Sequence, residues 1–195
     1  QELSRPSLAQ VIQDWLNRTP IRGSSPKDEN DKDTITSFLS EVLTSIENQT
    51  EKIIANSKSG SSINEDKLRQ RHQIIIESAK EFFSPKGIPH RARLGLYFIE
   101  VFRSAPLLAW PQRLIDALIR IEEAFILWRT RHARTVERII GRRVGTGGSS
   151  GVDYLDMTTK MRAFKDLWTV RSLLVNAEMF DKGVDQSYGF ATNNN

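Results

Sequence analysis

Apolar residues along this chain recur at intervals of three and four, which is the spacing of one face of an α-helix. The pattern predicts a short amphipathic helix from Leu8 to Leu16 and a longer one that carries apolar residues from Ile35 to Ile54. Further helices are predicted near residues 65–83, 90–103, 111–140 and 152–175, the last range as one or two short helices. No useful stretch alternates between apolar and polar residues. The sequence therefore predicts an all-α fold, a bundle with long helices.

The chain length of 195 residues suits one domain. We assign residues 1–175 to a helical domain, and residues 176–195, which end in three asparagines, to a flexible tail. No run approaches the ~20 apolar residues of a membrane span, so no membrane is expected. The complete lack of cysteine excludes disulfides, iron–sulfur clusters and thiolate ligands. No signal peptide is visible, and we expect a cytoplasmic protein.

The net charge of +4 is unevenly distributed, because arginines crowd residues 120–143. Such a basic stripe can attract nucleic acid or anionic cofactor groups, or it can be a solvated helix face. The arginines are not interleaved with the aromatic residues on which single-stranded bases stack. We therefore expect no nucleic-acid partner.

A histidine lies on the apolar seam of the long helix predicted at 111–140. The seam residues follow one another at intervals of three and four: Leu118, Ile121, Phe125, Trp128, His132, Thr135 and Ile139. Neutral imidazole is a good iron ligand, but a buried histidine can also simply donate to a nearby carbonyl. Zinc is disfavoured, because it needs three or four ligands and the other histidines, His72 and His90, share no spacing with His132.

Residues 145–151 read Gly-Thr-Gly-Gly-Ser-Ser-Gly and interrupt the helical pattern. A phosphate-binding P-loop would end in Lys-Ser or Lys-Thr, whereas Val152 and Asp153 follow here. A dinucleotide-binding loop would follow a strand rather than a helix. Two interpretations remain, a structural turn and a loop whose backbone N–H groups and hydroxyls meet a small polar ligand.

Taken together, these motifs resemble the C-terminal portion of the tryptophan 2,3-dioxygenase family. Residues 128–132 read Trp-Arg-Thr-Arg-His, and the glycine–serine motif runs into Tyr154-Leu155. Phe164-Lys165-Asp166-Leu167-Trp168 and the segment Trp15 to Pro20 also resemble family segments. The similarity covers most of residues 8–175 and is greatest from 91 to 174. It implies an all-α fold with a haem site between helices.

The resemblance implies a role for each matching residue. His132 matches the axial ligand of the iron of haem b, and Trp128 and Tyr154 match residues beside the haem. Thr146 matches the threonine that meets the ammonium group of the substrate, and Gly145 and Gly147 flank it. The resemblance assigns no catalytic acid or base in this chain.

The implied reaction inserts O₂ across the indole C2–C3 bond of L-tryptophan to give N-formylkynurenine. The family's distal haem residues precede the portion matched here, so we expect either a second polypeptide or a missing N-terminal part to carry them, and the assembly to be a symmetric oligomer. Ser104-Ala105 replaces an acidic pair that usually follows the arginine matching Arg103. The alternatives are a related haem-dependent oxygenase of another indole or phenol, and a non-catalytic haem-binding subunit.

Overall fold

A computed structural model describes residues 5–57, 65–143 and 151–180 and confirms the all-α prediction. The α-helices in these ranges are α1 (Leu8–Asn17), α2 (Asp31–Ser57), α3 (Glu65–Phe83), α4 (Arg91–Val101), α5 (Pro106–Ile140), α6 (Val152–Thr159) and α7 (Lys165–Thr169). Short 3-10 helices lie between α3 and α4 at Pro85–Gly87, and after α7 at Val170–Ser172 and Ala177–Met179. Among the described residues the only strand-like pairing is an isolated bridge between Ile21 and Ser24.

The long helix α5 begins five residues earlier than the sequence pattern predicts. Pro111 was expected to mark its start, but the helix begins at Pro106 and continues through Pro111. A proline lacks the N–H that would bond to the carbonyl four residues earlier, here that of Leu107. Because Pro111 is only the sixth residue of the helix, a single backbone hydrogen bond near the end is lost, and the helix is not interrupted.

The chain divides into two compact units, one comprising 1–112 with 169–195 and the other 113–168, as far as these residues are described. In the first unit α4 is the central helix, with every residue from Leu94 to Val101 buried. Edge-to-face aromatic contacts surround it, such as Phe38 on Phe98 and Phe83 on Tyr97. These contacts form the aromatic core of the first unit.

An arginine at the start of α4 joins several segments of the first unit. The Arg91 guanidinium binds both carboxylate oxygens of Asp31, at 2.9 and 3.0 Å. It also donates to the carbonyls of Thr19 and Ser24, at 2.9 and 3.1 Å, and to that of Asn17. The beginning of α2, the beginning of α4 and the chain after α1 are therefore held by one planar group.

Part of the predicted tail belongs to this core. Phe180 is buried and contacts the rings of Phe38, Tyr97 and Phe102. The apolar ring of Phe180, a residue of the range 176–195, is thus covered by the aromatic cluster. Residues 181–195 lie outside the described residues. No described helix combines the length and the apolar character that crossing a bilayer requires.

Candidate functional site

Helix α5 has two unlike faces within the second unit. Its inner face carries Ile115, Ile119, Glu122 and Ala133, all of them buried. The apolar seam that contains His132 is rotated away from this face, and beyond Leu118 it is exposed. The exposed fractions of its large side chains are 50% for Ile121, 55% for Phe125, 60% for Trp128 and 74% for Ile139. Within this unit the apolar seam of α5 beyond Leu118 is therefore exposed.

The structure places His132 on the exposed seam and not in a core. Its imidazole stacks on the indole of Trp128, with ring centroids 5.5 Å apart and an interplanar angle of 4°. The four-residue spacing brings the two rings together, since residues i and i+4 are neighbours on a helix. Within the described residues no hydrogen bond occupies the imidazole, so the alternative of a core histidine bonded to a carbonyl is not what the structure shows.

Two charged residues on the inner side of α5 hold the segment that joins α6 to α7. The buried Glu122 carboxylate accepts hydrogen bonds from the indole N–H of Trp168, at 2.5 Å, and from the backbone N–H of Phe164 and Ala163. One turn before His132, Arg129 donates to the carbonyls of Thr158 and Met161, at 3.2 and 3.3 Å. The positive Arg129 thus meets the carbonyl groups at the C-terminal end of α6, and the negative Glu122 meets the N–H groups at the beginning of α7.

A cluster of ion pairs flanks the glycine–serine motif on both sides. Arg142 binds Asp153 at 2.7 Å and Glu137 at 2.9 Å. Arg134 binds Glu137 and Asp156. The cluster ties the C-terminal end of α5 to the beginning of α6. Residues 144–150, which include the predicted site residues Gly145, Thr146 and Gly147, lie outside the described residues.

The remaining predicted residue, Tyr154, is half exposed on the first turn of α6. Within the described chain no ring contact or hydrogen bond joins it to Trp128 or His132. The structure therefore brings together Trp128 and His132, and it leaves Tyr154 on a neighbouring helix of the same unit.

Comparison with known proteins decides the family. The family model described as tryptophan 2,3-dioxygenase matches residues 2–174. The chain belongs to this family.

Its relatives include a tryptophan 2,3-dioxygenase-like protein of Xanthomonas campestris pv. campestris, 42% identical over 87% of this chain and 65% of the relative. A tryptophan 2,3-dioxygenase of Sorangium cellulosum is 40% identical over 88% of this chain and 44% of the relative. Tryptophan 2,3-dioxygenase 2 of Ralstonia nicotianae is 38% identical, with 90% and 50% covered. The chain thus spans less than two thirds of the length of each of these relatives.

The exposed histidine fits a haem better than a bare metal ion. Within the described ranges no group of three or more histidine and carboxylate side chains could hold an ion alone. A haem iron needs only one axial imidazole from the protein, because the porphyrin supplies the other nitrogens. The exposed imidazole of His132 and the exposed apolar surface of Trp128 beside it are chemically suited to such a group.

The buried Glu122 on the inner side of α5 is a residue that the apolar pattern did not single out. It lies seven residues after the buried Ile115, on the same helix face. A carboxylate at a core position, followed later by a tryptophan that needs a hydrogen-bond acceptor, is the signal that could have found this anchor.

Proposed function

We propose that this chain supplies the haem-binding side of a tryptophan 2,3-dioxygenase. His132 is the axial iron ligand, and Trp128 and Tyr154 border the haem. The observation that carries the proposal is the accessible His132 imidazole, stacked on Trp128 at 5.5 Å along an exposed apolar seam. Family membership supports it, and so does the hydrophobic character of the seam, since a macrocycle needs apolar surface as well as a ligand.

The proposed substrates are L-tryptophan and O₂, and the product is N-formylkynurenine. When bound, haem b supplies the iron centre at which O₂ reacts with the indole C2–C3 bond. The protein's own tasks are to hold the cofactor and to orient the amino acid. For the second task we assign Thr146, with Gly145 and Gly147, to the substrate ammonium group. The ion pairs of Arg142 with Asp153 and Glu137 support this assignment indirectly, because they tether the helices on both sides of the motif.

We further propose that either a second polypeptide or a missing N-terminal part completes the pocket, within a symmetric oligomer. An uncovered seam of large apolar side chains normally marks an interface. This chain spans 65% or less of the length of these relatives, and we place the distal residues in the part of the family that it does not span. Among homo-oligomers, closed symmetric assemblies predominate.

The test of haem ligation compares two histidine variants in the haem-loaded protein. His132→Ala is expected to abolish the spectrum of histidine-ligated haem and to lower the haem content. His72→Ala is the matched control, since His72 lies on α3 in the other unit and should leave both unchanged. An unaltered spectrum in His132→Ala would remove the histidine from the iron site and overturn the assignment.

Turnover by the complete assembly then separates the proposed activity from its alternatives. Oxidation of L-tryptophan to N-formylkynurenine supports the proposal. Selective turnover of another indole or of a phenol would make the protein a related aromatic oxygenase. Haem binding without turnover of any of these substrates would make it a non-catalytic haem-binding subunit.

A further inference from the structure

Helix α6 has little apolar burial to fix its position. Of its eight residues only Val152 is buried. Tyr154 and Met157 are each about half exposed, and because residues three apart are neighbours on a helix, they share one open face. Burial of a single valine contributes little to holding a helix in place. The position of α6 therefore depends mainly on polar contacts with α5.

Three arginines of α5 supply these polar contacts along the whole of α6. Each arginine holds a different part of the helix: Arg142 the first turn through Asp153, Arg134 the middle through Asp156, and Arg129 the carbonyl groups at the C-terminal end. The contacts follow opposite orders along the two helices, so α6 runs back along α5 in the antiparallel direction.

Arg129 differs from the other two arginines in its exposure and in the groups that it binds. The side chains of Arg134 and Arg142 are 49% and 56% exposed, and such exposed ion pairs contribute little and weaken with salt. Arg129 is half-buried, and its guanidinium bridges the carbonyl oxygens of Thr158 and Met161 at 3.2 and 3.3 Å. A cation at the carbonyl end of a helix also interacts favourably with the helix dipole. Arg129 is thus the anchor of α6 that solvent screens least.

The same arginine lies beside the proposed haem ligand. It follows Trp128 directly and precedes His132 by three residues, which is within one turn of α5. Its backbone is therefore part of the turn that carries the two stacked rings, while its side chain holds the helix that carries Tyr154. One residue connects the helix of the histidine with the helix of the tyrosine.

We propose that Arg129 is a positioning residue of the haem site, which holds Tyr154 on α6 at a fixed distance from His132 on α5. It acts through α6 rather than by contact with the cofactor. The inference rests on the proposed function, in which His132 ligates the iron and Tyr154 borders the haem. It goes further by assigning to Arg129 a role in retaining the cofactor.

The test measures how fast the haem-loaded protein loses haem to an excess of haem-free myoglobin. Arg129→Gln removes the charge and should release haem about five- to twentyfold faster, since hydrogen bonds from charged groups are among the stronger ones. The spectrum of histidine-ligated haem should remain, because the ligand is unchanged. Arg129→Lys keeps the charge and should release haem at an intermediate rate. Arg138→Gln, which removes the same charge from an exposed position of α5, is the matched control and should not alter the rate.

A double-mutant cycle with Tyr154 separates positioning from direct contact. Tyr154→Ala should by itself speed the release of haem. When Arg129→Gln is added to Tyr154→Ala, the rate should change by less than about twofold, because the residue through which Arg129 acts is already absent. An undiminished effect of Arg129→Gln in that background would overturn the proposal, in favour of direct contact between the guanidinium and a haem carboxylate.

Hydrogen exchange followed by mass spectrometry gives a second readout that needs no haem. In the haem-free full chain, Arg129→Gln should speed exchange in peptides from α6, whereas peptides from α3, in the other unit, should exchange as before. Unchanged exchange in α6 would overturn the proposal.

His132→Ala reports on the proposed function separately. Retention of the histidine-ligated spectrum in that variant would overturn the haem assignment and, with it, the role of Arg129. Loss of that spectrum in His132→Ala, together with unchanged haem release by Arg129→Gln, would overturn the positioning role alone.

Discussion

The hydrogen bonds of Glu122 allow a quantitative test of how the histidine-bearing helix is held in its unit. The carboxylate is only 5% exposed, and it accepts from the Trp168 indole at 2.5 Å and from two backbone N–H groups. Glu122→Gln keeps the side-chain volume but removes the charge, and it sets amide hydrogens against N–H donors. Trp168→Phe removes the indole donor and keeps an aromatic face for Arg162, whose guanidinium lies 4.2 Å from the ring centroid.

The expected magnitudes follow from the kind of bond. A hydrogen bond to a charged group contributes about 1.5–3 kcal/mol, and a buried donor left without an acceptor costs about 1–3 kcal/mol. We therefore expect Glu122→Gln to lower the free energy of unfolding by about 2–3 kcal/mol, and Trp168→Phe by about 1–2 kcal/mol. The double variant should lose less than the sum of the two, with a coupling energy of about 1–2 kcal/mol, because the shared bond can be lost only once.

The unchanged protein, the two single variants and the double variant form a double-mutant cycle. Urea unfolding followed by circular dichroism measures the free energy of unfolding of each. The control cycle pairs Trp168→Phe with Arg120→Ala, since Arg120 is 77% exposed and its ion pair lies on the opposite side of α5. These two changes should add within about 0.5 kcal/mol. A coupling between Glu122 and Trp168 no larger than that of the control would refute the reasoning, and the short contact would then contribute nothing specific to the unit.

Three further predictions concern other parts of the chain. The Arg91 guanidinium holds the pKa of the Asp31 carboxyl below its ordinary value, so the stabilisation from this pair should be present at neutral pH and lost as the pH falls below about 4. In urea titrations, Asp31→Asn should therefore be less stable than the unchanged protein at pH 7 and should lose less stability on acidification. Gly95→Ala should lower the free energy of unfolding by about 1–3 kcal/mol despite alanine's better helix propensity, since the added Cβ would stand 2.6 Å from the Leu16 carbonyl oxygen; a more stable variant in thermal melts would show that α1 shifts freely. Thr146→Ala should weaken L-tryptophan binding by the complete haem-loaded assembly about 10- to 150-fold, as expected for a lost hydrogen bond of about 1.5–3 kcal/mol to a charged group, and unchanged affinity in a binding titration would remove Thr146 from the site.

Local sequence pattern was enough to predict the helices. The three-and-four spacing of apolar residues places α1 to α5 to within about five residues, because helix formation depends on neighbours one turn away. For α6 and α7 it gave only the common range 152–175. The exceptions have local explanations as well. Pro111 is tolerated near the beginning of α5, where the helix has few backbone bonds to lose.

Sequence alone also identified the family and the neighbouring positions of Trp128 and His132. Residues separated by four lie side by side on any helix, so their ring stacking follows from spacing once α5 forms. The motif at 145–151 supported the same family, and the match over residues 2–174 confirms that identification.

Only the tertiary structure showed which faces of α5 are buried and where the residues after α7 pack. The pattern could show that Phe125 and Trp128 form an apolar face, but not that the described chain leaves this face exposed and turns Glu122 inward. Nor could it place Phe180 in the aromatic core, more than 75 residues from its ring partner Tyr97. The spacing of apolar residues predicts which face of a helix is apolar. It does not predict which residues pack on that face, because those residues lie far apart in the sequence and follow no periodic pattern.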